Sequence, residues 1–387
     1  MLEPHSWSLG STRRSTFGRT WRSPPRWCGG TKTRGSARRR PSSGLDQPRV
    51  FTFTEGDETI AASRLAESLG SLNISSPLLL VGTHGKTLAS GIDDALDSRP
   101  VSEGANQDWS SALGSAARRG GADAIVAIGG GRTLDVGKLA AARAGIAIVS
   151  VPTQLSHDGI CSPIAVVPDH EGRPESVGAI MPAALFLSMP TLLGAPEASL
   201  RAGLGDLLAN PYALRDWKLA AERGLEDTDD RSWDLSVQAY ELVQDIIENA
   251  NLGARLEILP RLADGLVLSG MAMIHAHSSR PASGGEHEIS HAIDELYGGR
   301  ALHGEQVAFG CIISAALYGD DVAELRGRLR AIGLPSAPSD LGLDEDDLVR
   351  VVLHAPDTRP GRFTVLEHSD LDEAGARALI KDAFADG

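Results

Sequence analysis

The pattern of apolar and polar positions changes near residue 190 of the 387-residue chain. Before that point, short apolar runs alternate with stretches of helical period, a pattern typical of a parallel α/β sheet. After it, strand signals stop and helical periodicity continues nearly to the end. We therefore predict an α/β domain over residues 49–190 and an all-α domain over residues 191–387.

The individual elements follow from the same pattern. Apolar runs bounded by turn residues predict these strands: 77–81, 124–128, 146–151, 164–167 and 185–189, with a weaker one near Val101. Helical periods predict these helices: 55–71, 110–119, 134–144, 200–221, 235–250 and 260–275, with more helix from 305 onwards. Residues 1–48 show neither period, so we predict disorder, an organelle transit peptide or a start assigned too far upstream.

Composition narrows the class of protein. Hydrophobic content is 42% and aromatic content 4%, which fits an α/β or helical core of small aliphatic residues. Residues 1–48 carry ten basic and two acidic groups, which leaves a net charge of −22 on the remainder; such a charge repels nucleic acid and anionic membrane. No apolar run reaches the ~18 residues of a membrane span. Three widely spaced cysteines indicate a reducing, cytoplasmic location.

Three consecutive glycines, Gly129 to Gly131, lie between a predicted buried strand and the helix that follows it. Such a turn lets backbone N–H groups and a helix N-terminus meet a pyrophosphate, and glycine keeps the approach free of a Cβ atom. With Asp135 and Lys138 on the next helix, we interpret this unit as a phosphate-binding turn. The alternative is a flexible connection without a ligand, because the sequence is not the G-x-G-x-x-G motif.

A polar loop, residues 154–163, follows the next predicted strand. Ligands of parallel α/β sheets bind at the carboxyl ends of the strands. We therefore favour a ligand-binding role for this loop over simple turn chemistry.

Three histidines lie close together in the segment 283–307: His287, His291 and His303. The first two are four residues apart and share one helical face, which favours a metal site with ligands from facing helices. The same residues match H-E-x-x-H, the zinc protease motif, with Glu288 as its base. The extended protease motif requires glycine where Asp294 stands, so we favour the bundle site. Asp206, an acid in an apolar helix, could supply the carboxylate.

Six segments together resemble one family, the sn-glycerol-1-phosphate dehydrogenases of the iron-containing alcohol dehydrogenase and dehydroquinate synthase-like superfamily. The segments are GGGRTLDVGK (129–138), SVPTQLSHDGICSP (150–163), GLGDLLANPYALRDWKLA (203–220), SSRPASGGEHEISHAID (278–294), ALHGEQVAFG (301–310) and RPGRFTVLEH (359–368). The resemblance spans residue 50 to the end. It implies a dehydroquinate synthase-like fold, with an α/β NAD(P)-binding domain followed by the helical metal-binding domain.

The resemblance also implies roles for individual residues. One divalent metal, zinc before iron or nickel, would be held by Asp206, His287 and His303, while Asp158 and His291 would serve substrate binding and catalysis beside Asp206. NAD or NADP would contact these residues: Gly130, Gly131, Arg132, Thr133, Leu134, Asp135, Thr153, Gln154, Leu155, Ser156 and Ser162. The implied reaction interconverts dihydroxyacetone phosphate and sn-glycerol 1-phosphate by hydride transfer, in a homo-oligomer.

Two alternatives within this fold remain open at this point. One is a sugar-phosphate cyclase resembling dehydroquinate synthase; Asp206 in place of glutamate and the lack of lysine between Lys138 and Lys218 count against it. The other is a dehydrogenase of another polyol or ketone. The phosphate of a substrate needs a cation, and Arg280, Arg300 and Arg362 are the candidates.

Overall fold

The computed structural model describes residues 48–90, 92, 98–100, 105–250 and 252–385. The segment predicted to be disordered lies outside these residues except for Pro48. The strands are β1 Arg49–Phe53, β2 Pro77–Val81, β3 Ser98–Pro100, β4 Ala124–Gly129, β5 Ala147–Pro152, β6 Ile164–Pro168, β7 Pro174–Gly178 and β8 Ala184–Ser188. The helices before residue 200 are α1 Glu58–Ser71, α2 Lys86–Ala89, α3 Gln107–Arg119, α4 Gly131–Ala144, α5 Met189–Leu193 and α6 Glu197–Glu222.

The rest of the described chain is helical. Its helices are α7 Asp230–Glu241, α8 Gln244–Glu248, α9 Arg255–Ala276, α10 Gly285–Tyr297, α11 His303–Tyr318, α12 Val322–Ile332, α13 Glu345–His354, α14 Val365–Ser369 and α15 Glu373–Phe384. Short 3-10 turns cover Asp158–Ile160, Pro338–Leu341 and Ala355–Thr358. None of the helices in the described ranges is long and apolar enough to cross a bilayer.

Six strands of the described chain form one parallel sheet in the order β1-β8-β5-β4-β2-β3. Strands β2, β4 and β8 are buried at every position, because helices cover both faces; this explains why they read as continuous apolar runs. Strand β4 pairs with β2 on one side and β5 on the other. The glycine turn therefore lies at the carboxyl edge, in the middle of the sheet.

Most predicted strands match the structure to within a residue, and the exceptions have physical causes. Strand β1 was not predicted, because five residues with alternating polar positions give little signal. The strand predicted at 164–167 is β6, which pairs not with the sheet but antiparallel with β7. Strand β7 was missed because its side chains are nearly all exposed and it has no apolar period. The strand expected near Val101 corresponds to β3, and Val101 itself lies outside the described residues.

The helical half differs from the prediction mainly at element ends. The helix predicted over 235–250 is two helices, α7 and α8, separated at Leu242 and Val243. Helix α4 begins at Gly131 rather than at residue 134, so the glycine turn and the first turn of helix are continuous. The last strand ends at Ser188 and helix follows at once. The division into two domains near residue 190 stays a prediction.

Candidate functional site

Three side chains from three helices converge at the base of a cleft. They are Asp206 of α6, His287 of α10 and His303, the first residue of α11, and their donor atoms all lie within 4.8 Å of one another. Asp206 Oδ1 is 3.9 Å from His287 Nε2 and 3.8 Å from His303 Nε2. The structure thus brings together the three residues predicted to hold a metal, from positions almost a hundred residues apart.

Glycines at a helix crossing explain how these side chains meet. A Cβ atom on Gly304 of α11 would lie 1.9 Å from the carbonyl oxygen of Ala202, and one on Gly205 of α6 would lie 2.3 Å from the Gly304 oxygen. The two helices therefore touch backbone to backbone. Because Asp206 and His303 each adjoin one of these glycines, the close crossing places the carboxylate beside the imidazole.

The electrostatics of the cluster suit a divalent cation. Burial, together with the nearby Asp158 carboxylate, raises the pKa of Asp206 well above its usual value. Burial and the nearby Arg359 hold the pKa of His287 well below its usual value, and burial does the same to His303. Neutral imidazoles have free lone pairs, and one carboxylate with two imidazoles is a borderline donor set. This chemistry fits a metal such as zinc and leaves coordination positions open.

The geometry of the site contradicts the interpretation of H-E-x-x-H as a zinc protease motif. Glu288 is fully buried and accepts a hydrogen bond from the Thr364 hydroxyl at 3.0 Å, on the side of α10 away from the cluster. Burial raises the pKa of Glu288 to about 9, so it is protonated at neutral pH. His291 is not one of the three clustered donors, and it lies instead on the cleft wall. Neither a second histidine ligand nor a general base is therefore available in this motif.

The predicted cofactor residues divide into two groups in the structure. The first group surrounds the glycine turn, where β4 and β5 end side by side. A Cβ atom on Gly130 would lie 3.3 Å from Gln154 Nε2, and one on Gly131 would lie 2.7 Å from His157 Nε2. The backbone N–H of Thr153 donates to the Gly129 oxygen at 3.0 Å. The turn is thus a cradle without room for side chains, which fits a phosphate group.

The side chains of the second group face the protein interior, and the contact of these residues with a cofactor stays a prediction. The Asp135 carboxylate forms a buried ion pair with Lys138 Nζ at 2.8 Å and accepts from the Val166 N–H, so neither charge faces the glycine turn. Lys138 also donates to the Gly159 oxygen at 2.8 Å and so anchors the polar loop. The side chains of Leu134 and Leu155 are buried in the core. Only their main-chain atoms can contact a cofactor.

Asp158 links the polar loop to the metal cluster. Its backbone N–H donates to Asp206 Oδ2 at 2.8 Å, and its own Oδ2 accepts from the Ser269 hydroxyl at 3.0 Å. Burial raises the pKa of Asp158 to about 6, although the hydrogen bond from Ser269 opposes the rise. This carboxyl group therefore lies beside the cluster, and its pKa is close to neutral pH.

A cleft of about 1510 Å³ opens above the cluster, and Arg359 and Arg362 are among the residues that line it. Arg359 contacts the ring of His291 at 3.4 Å and donates to the Ser283 hydroxyl at 2.7 Å. Arg362 donates to the Ser279 hydroxyl at 2.9 Å. No carboxylate lies within ion-pairing distance of either guanidinium in the described ranges. The pair is thus available to an anion.

The structure also separates the three arginines predicted for a substrate phosphate. Arg280 is buried and already paired with Glu226 through two nitrogens, and Arg300 is exposed beside the ring of Tyr297. Only Arg362 fits the prediction, and its neighbour Arg359 was missed. The available signal was the first arginine of the segment RPGR, which lies three residues before Arg362 at the same turn.

Comparisons with known proteins define the class. The family model for iron-containing alcohol dehydrogenases matches residues 58–196. The fold resembles that of a probable glycerol dehydrogenase from Sinorhizobium meliloti 1021, with a TM-score of 0.68 at 23% identity over 84% of this chain and 94% of that one. A sulfoacetaldehyde reductase from Bifidobacterium kashiwanohense, solved in complex with NAD+, has a TM-score of 0.63 at 13% identity over 87% and 97%. The predicted dehydroquinate synthase-like fold is confirmed.

Closer relatives define the family. The glycerol-1-phosphate dehydrogenase [NAD(P)+] of Cenarchaeum symbiosum is 38% identical over 66% of this chain and 71% of its own length. That of Hyperthermus butylicus is 38% identical over 66% and 73%. The chain belongs to the glycerol-1-phosphate dehydrogenase family. The predicted family, a group of oxidoreductases, is therefore confirmed, and the cyclase alternative is not favoured.

Proposed function

We propose that the protein interconverts dihydroxyacetone phosphate and sn-glycerol 1-phosphate with NAD(P)H as hydride donor. The observation that carries this proposal is the proximity of three features. The arginine pair and His303 of the metal-type cluster line one cleft, and the glycine cradle adjoins His157, whose ring centroid lies 5.9 Å from that of His303. The family supplies the reaction class. The arginine pair supplies the reason for a phosphorylated substrate rather than a neutral polyol.

The metal would be held by Asp206, His287 and His303, and zinc suits this donor set, with iron or nickel as alternatives. A bound divalent metal supplies Lewis-acid polarisation of the substrate oxygen. The protein itself supplies the neutral imidazoles and the buried carboxylate, each from a different helix.

The dinucleotide would lie along the cradle, with its pyrophosphate over Gly130 and Gly131. The residues proposed to contact it through side chain or backbone are Arg132, Thr133, Leu134, Asp135, Thr153, Gln154, Leu155, Ser156 and Ser162. Strand β2 ends at Val81 beside this turn and is followed by Gly82, Thr83 and His84, without an acid to hold a ribose 2′-hydroxyl. We therefore propose that NADP is accepted as well as NAD.

Arg359 and Arg362 would bind the substrate phosphate, with the hydroxyls of Ser279 and Ser283 orienting the two guanidinium groups. Charge-assisted bonds of this kind would hold the phosphate end of a small substrate and so orient it in the cleft. His291 and Asp158 flank the cluster and would carry the proton that the product hydroxyl gains. Burial and the Arg359 charge hold the pKa of His291 well below its usual value, so its imidazole is neutral at pH 7.

We also propose a cytoplasmic homo-oligomer. Cys161 and Cys311 are both buried and unpaired, which fits a reducing compartment. Light scattering coupled to size exclusion would test the assembly.

The decisive assay follows NAD(P)H oxidation by zinc-loaded protein with dihydroxyacetone phosphate, using unphosphorylated dihydroxyacetone as the control. We expect turnover of the phosphorylated ketone only, with sn-glycerol 1-phosphate as product. If the protein oxidises neither NADH nor NADPH in the presence of dihydroxyacetone phosphate, the proposal is contradicted.

Replacement of the arginine pair tests the phosphate site directly. Arg359→Met should raise KM for dihydroxyacetone phosphate about 10- to 100-fold, because a charged hydrogen bond contributes about 1.5–3 kcal/mol. Arg300→Met, an equal loss of charge outside the pair, should change KM less than about twofold on the same grounds. Equal effects of the two substitutions would place the phosphate elsewhere.

A further inference from the structure

Two buried glutamates flank His287 along α10, and only one of them reaches its ring. Glu286 Oε1 lies 3.0 Å from His287 Nδ1. Glu288 instead bonds to Thr364, on another side of the helix. The two ring nitrogens of His287 therefore have different neighbours: Nε2 faces Asp206 Oδ1, and Nδ1 faces Glu286.

Glu286 is held rigidly in this position. Its Oε1 accepts a second hydrogen bond, from the Gly284 N–H at 2.6 Å. Its backbone is fixed by α11, because a Cβ atom on Gly310 would lie 2.3 Å from the Glu286 carbonyl oxygen. The side chain is fully buried, so neither its rotamer nor its main chain can relax without moving a neighbouring helix.

The second carboxylate oxygen of Glu286 has an unusual environment. Oε2 is buried and accepts no hydrogen bond within the described part of the chain. A buried carboxylate that lacks a full set of partners is costly, and nearby positive charge stabilises it; Arg359 and Arg362 supply part of that charge. A cation bound at Asp206 and His303 would polarise the His287 ring and add to this stabilisation through the Nδ1–H bond.

We propose that Glu286 is the positioning residue of the metal site. By accepting the Nδ1–H, it holds His287 in the tautomer whose Nε2 lone pair points at Asp206 and His303. Its charge also makes that nitrogen a stronger ligand, as outer carboxylates do for metal-bound histidines. This inference rests on the proposed metal site. It adds a fourth residue, which does not itself touch the metal.

Zinc affinity measured on apo-protein tests the proposal without any assay of turnover. Zn²⁺ is titrated in competition with a chromogenic chelator into the wild type, Glu286→Gln and Glu288→Gln. Glutamine keeps the amide oxygen that accepts from Nδ1 and Gly284 but removes the charge. We expect Glu286→Gln to weaken zinc binding about 10- to 100-fold. Glu288→Gln is the matched control, because it makes the same substitution at the other glutamate next to His287, and it should change affinity less than about twofold because Glu288 bonds to Thr364 rather than to the imidazole ring.

A spectroscopic readout separates positioning from a general structural effect. The visible absorption of the Co²⁺-loaded protein reports ligand geometry, and it should change in Glu286→Gln but not in Glu288→Gln. Glu286→Asp, which keeps the charge and shortens its reach, provides a second variant if glutamine prevents folding; it should also weaken zinc binding and alter the Co²⁺ spectrum.

The outcomes separate this inference from the proposed function. A wild type that does not bind zinc, iron or nickel would overturn the metal site itself. A wild type that binds zinc while Glu286→Gln binds equally well would overturn only the role of Glu286. Equal weakening in both glutamine variants, with unchanged Co²⁺ spectra, would show that the two glutamates support the helix and would also overturn it.

Discussion

Asp123 is a charged residue whose hydrogen bonds connect two segments of the α/β half of the molecule. Its carboxylate accepts hydrogen bonds from the backbone N–H groups of Ser75, at 2.7 Å, and Ser76, at 3.0 Å. These bonds join the chain just before β2 to the chain just before β4. Partial burial alone would raise the pKa of Asp123, but the hydrogen bonds from Ser75 and Ser76 outweigh it and lower the pKa below the usual value.

Asp123→Asn should therefore lower the free energy of unfolding by about 1 kcal/mol at pH 7, a modest value because solvent screens the group. The folded-state pKa lies below the unfolded one, so the stabilisation is present above the unfolded value of ~3.9 and is lost as pH falls through the folded value. Urea unfolding at pH 7 and at pH 3 measures the difference. Asp382→Asn, at an exposed acid, is the control for loss of charge. A deficit that is as large at pH 3 would contradict the linkage.

At the same scale, the sequence predicted which three donor side chains cluster together, but it did not predict which side chains contact and support them. Asp206, His287 and His303 were predicted because metal-binding side chains form recognisable segments. Their supporting residues carry no such signal: Glu286 looks like any acid in the first turn of a helix. The contact between Arg359 and His291 spans 68 positions, and no local pattern encodes which arginine crosses that distance.

At the scale of elements, the crossing of α6 and α11 tests how far the site depends on backbone contact. Gly304→Ala would force a methyl group against the Ala202 carbonyl. We expect a loss of about 1–3 kcal/mol of stability from overpacking, with weakened zinc binding as the helices separate.

Gly327→Ala on α12 is the matched control, because a Cβ atom there meets nothing within 4 Å. That substitution should leave zinc binding unchanged and stabilise the helix by up to about 1 kcal/mol. Thermal unfolding and chelator competition measure both effects. Equal zinc affinity in the two variants would show that metal binding does not depend on the close contact of α6 and α11.

Helices and strands could be predicted where their burial produces a clear apolar pattern in the sequence. Strands β2, β4 and β8 are covered on both faces and are apolar throughout, so their runs are unmistakable. Neither face of strand β7 is covered. Its pairing with β6 follows from the turn that joins the two strands rather than from hydrophobic side chains. Sequence patterns report what an element buries, and an exposed hairpin buries little.

At the scale of the whole molecule, one hydrophobic cluster runs through both halves of the fold. It contains Leu80 and Ile125 of the sheet, Leu155 of the polar loop, and Leu207 and Ile312 of the helical half. A second cluster, with Phe51 and Phe186, covers the other face of the sheet. The continuous cluster could not be predicted from composition or period, because it depends on how the two halves pack.

The shared core leads us to expect a single cooperative unfolding transition for the apo-protein, although the sequence divides near residue 190. Hydrogen exchange in increasing urea should give coincident midpoints for peptides of β4 and α11. Two separated midpoints would show that the halves unfold as independent domains.

The hydrogen bond between the Asp158 N–H and Asp206 Oδ2 has a thermodynamic consequence. The donor belongs to the loop beside the glycine cradle and the acceptor to the metal cluster, so a shift of either group displaces the other. We therefore expect occupation of one proposed site to alter the free energy of occupying the second. Such linkage is reciprocal: the factor by which a cation changes dinucleotide affinity must equal the factor by which the dinucleotide changes cation affinity. Because free energy is a state function, the order of loading does not affect the final state, and with such coupling either ligand can serve as a reporter for the other.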